Sequence, residues 1–249
     1  MHGIARTPLT PKAVAALEGH GSVRRIVYYS SGHVILFNVH RSSAELGEVM
    51  GIMEDECFVD APEALLVGKV EFIGFDMTKN VYQPAPSMNL DGLKPIDFAI
   101  ISSLSKDARK PVNKVAEELG VSSKMVNRRL SKLIQSGAMS YAILIFPSSY
   151  NDLMFVLRVH LDSRHGREAF LARLSGLGDH LDHAIFFDNS ARLVFIDGYA
   201  SSVEEFNSIL ETVAAMPEVE SVYPDIPLKT YFIESWLERE VQRMAAQSK

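Results

Sequence analysis

The side chains best suited to bind an anion lie in one predicted helix, residues 123–135, with the sequence SKMVNRRLSKLIQ. Its apolar residues recur at the spacing of one buried helix face: Val126, Leu130, Leu133 and Ile134. The side chains left outside are all hydrogen-bond donors: Lys124, Asn127, Arg128, Ser131, Lys132 and Gln135, with Arg129 at the edge of the buried stripe. No acid occurs between residues 122 and 151, so this helix would not repel a phosphate.

Such a helix could enter the major groove of DNA, where donors bind base edges and phosphate oxygens. The residues expected to reach base edges are Ser123, Lys124, Asn127 and Arg128. Those expected to contact phosphates are Arg129 and Lys132, and the predicted N-cap Ser122 completes the DNA-binding set. The alternative is an ordinary solvated face, which usually places acids at i+4 from its basic residues. Because this helix has none, the pattern favours double-stranded DNA as a partner.

The charge distribution singles out the same region. The 249-residue chain has a formal net charge of -6, which by itself argues against a nucleic-acid partner. Residues 93–139, however, hold nine Lys and Arg against four Asp and Glu, a net charge of +5, whereas the rest of the chain sums to -11. A compact basic segment between acidic flanks is consistent with an anion-binding module.

Composition limits the class of protein. A chain with 47% hydrophobic and 22% charged residues should fold, and its length predicts one or two domains. The single cysteine, Cys57, excludes an internal disulfide framework and a thiolate zinc cluster. No apolar run approaches the roughly 18 residues needed to span a bilayer, and the first residues lack the apolar core of a signal peptide. We therefore expect a cytoplasmic protein without a membrane partner.

Two further helices are predicted before the basic one. Helical spacing of apolar residues begins after Pro95, and a second short stripe follows Pro111 and ends at Gly120, a residue that favours a left-handed C-cap. Only a few residues join the last two helices, which is the spacing of a helix-turn-helix. We assign residues 93–145 to a winged helix-turn-helix domain and residues 80–92, which contain two prolines and no regular period, to a linker.

The remaining segments predict an α+β protein. Residues 150–227 alternate strand and helix patterns in the order βαββαβ, the ferredoxin-like unit in which two helices cover one face of a four-stranded sheet. Residues 1–79 resemble a truncated second copy, a partial βαββ repeat preceded by the remnant of another helix-turn-helix. Residues 228–249 have the apolar spacing of a terminal amphipathic helix.

The segment from Leu93 to Met139 resembles the winged helix-turn-helix of the Lrp/AsnC, or feast/famine, regulators. The matching residues are Leu93, Asp97, Asp107-Ala108-Arg109, Ala116, Leu119-Gly120-Val121-Ser122, Val126, Arg129, Leu133 and Gly137. The βαββαβ unit matches the effector-binding and dimerisation (RAM/AsnC-type) domain of that family, so the resemblance covers roughly residues 93–225. It implies a sequence-specific transcription regulator that forms a homodimer or higher homo-oligomer through its sheet domain and binds small effectors such as amino acids. We expect no cofactor.

The turn between the second and third strands of this unit departs from the family pattern. The family commonly has a glycine there, where effector contacts cluster, whereas this chain has Phe187-Asp188-Asn189-Ser190. Side chains in this place argue against the usual amino-acid effector. If a ligand binds, the candidate residues are Asn189, Ser190 and Asp197; the alternative is a plain hairpin turn.

Enzyme interpretations find less support. His180 and His183 lie three apart on a predicted strand and cannot share a face as a metal pair. The sequence contains no nucleophile elbow, phosphate loop or dinucleotide-binding glycine motif, so we expect neither catalytic residues nor a metal. One alternative from another class stays open. Siroheme decarboxylases resemble the same family and bind a tetrapyrrole in place of DNA, with histidines and arginines holding its carboxylates.

Overall fold

The structure, a computed structural model, describes residues 1–5, 9–40, 42–57, 59–73, 93–105, 107–136, 138–139, 152–162, 166–233, 239 and 241–243. The chain divides into two compact units. One comprises residues 1–76 and 145–233, and the other comprises residues 77–144 and 234–249. The predicted linker, residues 80–92, and residues 140–145 of the predicted DNA-binding domain lie outside the described residues.

Seven α-helices and nine strands lie wholly within the described residues. The helices are α1 (Pro11–Gly19), α2 (Ser43–Asp55), α3 (Pro95–Ser105), α4 (Val112–Leu119), α5 (Ser123–Gln135), α6 (Arg167–Leu174) and α7 (Val203–Ala214). The strands are β1 (His2–Ile4), β2 (Val23–Tyr29), β3 (His33–Asn38), β4 (Val67–Phe72), β5 (Leu153–Leu161), β6 (Leu181–Phe187), β7 (Leu193–Ala200), β8 (Val219–Asp225) and β9 (Pro227–Phe232). No helix in these ranges is long and apolar enough to cross a lipid bilayer.

The apolar faces of α3, α4 and α5 pack into one small core. Its buried residues include Ile100, Val115 and Val126. Helix α4 ends at Gly120, whose backbone φ of 64° is left-handed, as its sequence position predicted. Helix α5 starts after Ser122, whose hydroxyl oxygen accepts a hydrogen bond from the Met125 amide at 3.2 Å. Local sequence signals therefore set the turn that joins the two helices.

The prediction that Ile134 faces inward is wrong. Ile134 is 45% exposed, whereas its neighbour Leu133 is 1% exposed. Successive residues lie about 100° apart around a helix, so a core made by three short helices covers Leu133 and leaves Ile134 outside its edge.

The predicted βαββαβ unit has the ferredoxin-like topology. Its strands lie in the order β6-β7-β5-β8, and each pairs antiparallel with its neighbour. Helices α6 and α7 bury Phe170, Leu174, Phe206 and Ile209 in a core against one face of this sheet. Because side chains alternate along a strand, the residues between those of this core point to the opposite face. The predicted α+β fold class is confirmed.

The truncated repeat is divided between two sheets. Strand β3 and helix α2 begin the predicted strand-helix-strand pattern, but β4 pairs with β6 and makes the ferredoxin-like sheet five-stranded. The side-chain amide of Asn189 fixes the approach to β4: it accepts from the Leu66 amide at 2.8 Å and donates to the Ala64 carbonyl at 2.7 Å.

A second sheet has the strand order β1-β3-β2-β9. Strand β9 comes from the segment predicted to be helical, so that prediction is wrong for residues 228–232. The antiparallel ladder to β2, with Thr230 opposite Val27, satisfies the β9 backbone through a partner about 200 residues away, which a local pattern cannot reveal. Of the rest of the predicted terminal helix, the described residues 239 and 241–243 are helical.

The two sheets pack face to face around a second apolar core. Its buried residues are Val27, Tyr29 and Ile35 from the second sheet and Val156, Ile185, Phe187, Leu193 and Phe195 from the ferredoxin-like sheet. The ferredoxin-like sheet is therefore covered by helices on one face and by the second sheet of the same chain on the other. That second face is therefore buried within the chain.

Two histidines stack at one end of this layer. The His2 Nδ1 and His33 Nε2 atoms lie 2.8 Å apart, with ring centroids 5.1 Å apart. Burial lowers the pKa of each to about 4. His183 differs: burial acts to lower its pKa, but hydrogen bonds to Asp182 and Asp197 raise it to about 10. Near neutral pH, His2 and His33 are therefore uncharged and His183 is charged.

Together these three histidines are expected to stabilise the sandwich most near pH 6.5, the ordinary pKa of histidine, and to stabilise it less as the pH moves in either direction. As the pH falls toward 4, the unfolded chain binds protons at His2 and His33 that the native protein does not bind. As the pH rises toward 10, the native protein keeps a proton on His183 that the unfolded chain has lost. Each such proton changes the free energy of unfolding by about 1.4 kcal/mol per pH unit.

Urea unfolding followed by circular dichroism between about pH 5 and 9 measures this dependence. His33→Gln should flatten the acid limb and leave the alkaline limb unchanged. An acid limb as steep in this variant as in the wild type would contradict the assignment.

Candidate nucleic-acid interface

The exposed face of α5 carries most of the residues predicted to bind DNA. Its exposed members are Ser122, Ser123, Lys124, Asn127, Arg128 and Lys132. Val126 and Leu133 of the same helix are buried in the three-helix core, so the exposed side chains are held on one surface. The N-terminal end of α5 adds the positive end of the helix dipole, which favours a phosphate.

The positive charge of this face is not neutralised by neighbouring acids. The cations on it that form no ion pair among the described residues are Lys124, Arg128 and Lys132. The lysines nearer α4 behave differently, because Lys110 pairs with Glu118 at 3.0 Å and Lys114 pairs with Glu117 at 2.9 Å. Of the helices α3, α4 and α5, α5 is the one whose exposed cations form no ion pair among the described residues.

Arg129 lies at the edge of this surface, with its side chain 13% exposed, and is engaged by a buried acid of α3. Its Nε donates to the Asp97 carboxylate at 2.5 Å, and a second guanidinium nitrogen pairs with the other carboxylate oxygen. Asp97 is 1% exposed and also accepts from the Lys94 amide at 2.8 Å. A bidentate pair with a buried carboxylate fixes the orientation of the guanidinium. Arg129 therefore fastens α5 to α3.

The sequence analysis placed Asp97 in the family motif without giving it this role. The available signal was an acid in the first turn of α3, the one charged residue of that helix, together with an arginine at the edge of the apolar stripe of α5. A lone acid among buried positions requires a partner, and Arg129 is the basic residue of α5 nearest the buried face.

The three candidate ligand residues lie in different settings. Asn189 and Ser190 are in the turn before β7, and the Asn189 amide is engaged with the segment before β4. Asp197, in the middle of β7, faces the layer between the two sheets and lines a cavity there. Its carboxylate lies 2.8 Å from the His183 Nε2. The structure therefore does not bring Asp197 together with the turn.

Comparison with known proteins identifies the helical unit. Residues 93–138 match a family described as winged helix-turn-helix DNA-binding. Curated relatives include the HTH-type transcriptional regulator FL11 of Pyrococcus abyssi, which is 26% identical over 143 residues that span 56% of this chain and 91% of the relative. The regulator of the same name from Pyrococcus horikoshii is 24% identical over the same shares. The predicted DNA-binding motif and the predicted family resemblance are confirmed.

Among solved structures, AsnC of E. coli is similar to this chain, with 23% identity and a TM-score of 0.47 over 55% of this chain and 93% of AsnC. A feast or famine regulatory protein from M. tuberculosis, complexed with L-methionine, has 18% identity and a TM-score of 0.47 over 58% of this chain and 95% of that protein.

Proposed function

We propose that this chain, a winged helix-turn-helix regulator of the Lrp/AsnC type, controls transcription by reading a specific DNA sequence with α5. The observation that carries the proposal is the exposed face of α5, whose three cations form no ion pair with any residue that the structure describes. The charge division supports it, because flanks that sum to -11 repel DNA that is not docked on the +5 segment, residues 93–139.

The first turns of α5 are proposed to contact base edges. In a helix-turn-helix the N-terminal residues of the second helix meet the bases in the major groove. Arg128 can donate two hydrogen bonds to a guanine, and Asn127 can pair with an adenine. Ser123 and Lys124 precede them on the same exposed face. Ser122 acts through its cap, which fixes the start of α5.

Lys132 is proposed to contact a phosphate. It lies one turn beyond Arg128, toward the C-terminal end of α5, and it is exposed. In this geometry residues further along the recognition helix lie farther from the base edges and closer to the backbone. A phosphate contact contributes affinity that depends on salt and not on base sequence.

We propose that two copies act on one operator, because one α5 reads only a half-site and two-fold symmetry supplies the other. One face of the ferredoxin-like sheet is covered by the second sheet of the same chain, so we propose that the copies pair through another surface of the α/β domain. Light scattering of the protein bound to its operator should give two 27.7 kDa chains per DNA fragment. A complex with one chain per fragment would contradict the proposed pairing.

We propose further that a small ligand, such as an amino acid, modulates DNA binding. Asp197 supports this proposal, because it faces a cavity between two sheets of the same unit. Asn189 and Ser190 stay candidate ligand residues at the turn, where the Asn189 amide would have to release its present partners to bind a ligand.

Selection of bound fragments from genomic DNA tests the proposed function. The expected result is enrichment of fragments that share a two-fold sequence with half-sites about one helical turn apart. A titration with heme or siroheme tests the tetrapyrrole alternative in parallel. A strong absorbance change together with no enriched fragment would favour that alternative over DNA binding.

A further inference from the structure

Two adjoining cavities lie between the sheets of the sandwich. One encloses about 60 Å³ and is lined in part by Arg25, and the other encloses about 320 Å³. Both are walled by Ile35 and Phe37 of the second sheet and by Ile185 and Phe195 of the ferredoxin-like sheet. These shared walls are aliphatic and aromatic, so the space suits the apolar body of a small molecule.

Arg25 brings a positive charge into this apolar space. Its guanidinium carbon lies 3.8 Å from the centre of the Phe37 ring, a cation–π contact. The guanidinium forms no hydrogen bond or ion pair with a residue in the described ranges. Burial is the main cause that lowers the pKa of Arg25, as expected for a cation withdrawn from water without a bonded counter-charge. A bound anion would stabilise a cation in this position.

Asp197 lines the same cavity but is held by another group. Its carboxylate lies 2.8 Å from the His183 Nε2, and the His183 Nδ1 lies 2.9 Å from the Asp182 carboxylate. Because His183 is charged near neutral pH, it offsets much of the negative charge of these acids. Asp197 acts on Arg25 only through space, and the donors of Arg25 stay free.

We propose that these cavities bind a small organic monocarboxylate with a compact apolar body. The planar guanidinium of Arg25 can donate two parallel hydrogen bonds to a carboxylate, and the apolar body would lie against the shared wall at Phe37 and Phe195. A monoanion suits the site better than a phosphate, because Arg25 is the one arginine or lysine among the described residues that line the smaller cavity and Asp197 would repel a second negative charge.

This inference gives a site and a chemical class to the ligand response in the proposed function, and it depends on that function only for the effect on DNA. Arg25 and Phe37 belong to the second sheet, whereas Ile185 and Phe195 belong to the ferredoxin-like sheet. A molecule that contacts both walls ties the two sheets together. Ligand binding should therefore raise the melting temperature of the sandwich.

Calorimetric titration and thermal unfolding of the full chain test the site with three probes: 4-methylpentanoate, L-leucine and the uncharged 4-methylpentanamide. The expected result is that at least one carboxylate binds and stabilises the protein, and that the amide binds at least tenfold more weakly. If L-leucine binds more tightly than 4-methylpentanoate, the site recognises an α-ammonium group as well; if 4-methylpentanoate binds more tightly, it does not. Failure of both carboxylates to bind the wild type, or equal binding of the amide, would overturn the proposal.

Arg25→Met should weaken carboxylate binding at least tenfold. The matched control is Arg192→Met, which removes a surface arginine that pairs with Glu220 and should leave carboxylate binding unchanged. The melting temperature of each variant with ligand is compared with that of the same variant without ligand, so a general loss of stability is not mistaken for lost binding. Without ligand, Arg25→Met should bind an operator fragment as the wild type does, which separates failure of the ligand site from failure of DNA binding. Undiminished carboxylate binding by Arg25→Met would overturn the site.

Discussion

Replacing Arg129 with methionine is expected to lower the free energy of unfolding of the three-helix unit by roughly 3 kcal/mol. The change leaves the Asp97 carboxylate, 1% exposed, with a single backbone hydrogen bond from Lys94 and no counter-charge. A buried charge that loses its partner keeps the cost of desolvation and loses the attraction that offset it. Urea unfolding, monitored by a probe placed in the helical unit, measures the change.

The double variant Asp97→Leu with Arg129→Met is the control. It removes both charges, so its stability should lie much closer to that of the wild type than the stability of the single variant does. The same variants test whether Arg129 also contacts a phosphate of bound DNA. At a temperature where the unit stays folded, Arg129→Met should leave the salt dependence of DNA binding unchanged. If Arg129→Met stayed folded and its slope of log affinity against log salt concentration were smaller by about one, the predicted phosphate contact of Arg129 would be supported.

Replacing Arg128 with alanine is expected to weaken binding to the operator by about 1 to 3 kcal/mol, roughly 5- to 150-fold in affinity. Arg128 is exposed on the second turn of α5 and forms no ion pair among the described residues, so the variant should fold normally. The loss should fall mainly on the operator, because a base contact is made only with the correct sequence. Fluorescence anisotropy with operator and scrambled fragments measures both affinities.

Lys132→Ala is the matched comparison on the same helix. It should weaken operator and scrambled DNA alike and should reduce the salt slope by about one. Lys12→Ala, an exposed lysine that pairs with Glu56 in the other unit, controls for the change in net charge. If Arg128→Ala and Lys132→Ala both bound DNA as the wild type does, at every salt concentration, the assignment of α5 to the major groove would be wrong.

The helix-turn-helix could be predicted from the sequence because its signals are local. Gly120 readily adopts the left-handed conformation that ends α4, and Ser122 caps the next helix. The apolar spacing of α5 defines its buried face. Each of these signals acts within a few residues, where propensity and geometry give the same answer. The βαββαβ unit is predictable for a similar reason, since its strands and helices alternate within one segment of the chain.

The pairing of distant segments could not be predicted in this way. Strand β9 lies in a segment with helical spacing, and its backbone partner β2 is about 200 residues away. Strand β4 pairs with β6 and not within its own repeat, held by the Asn189 side chain. The position of Arg129 depended on Asp97, 32 residues earlier in the chain. In each case a long-range partner overrides or completes the local pattern.

The measurement that tests the central claim most directly is the affinity of the protein for a selected genomic fragment and for a scrambled fragment of equal length, across a salt series. If α5 reads DNA, the selected fragment should bind at least a thousandfold more tightly, and the affinity for both fragments should fall steeply as salt increases. Equal affinity for the two fragments, or binding that does not change with salt, would contradict sequence-specific recognition by the basic face of α5.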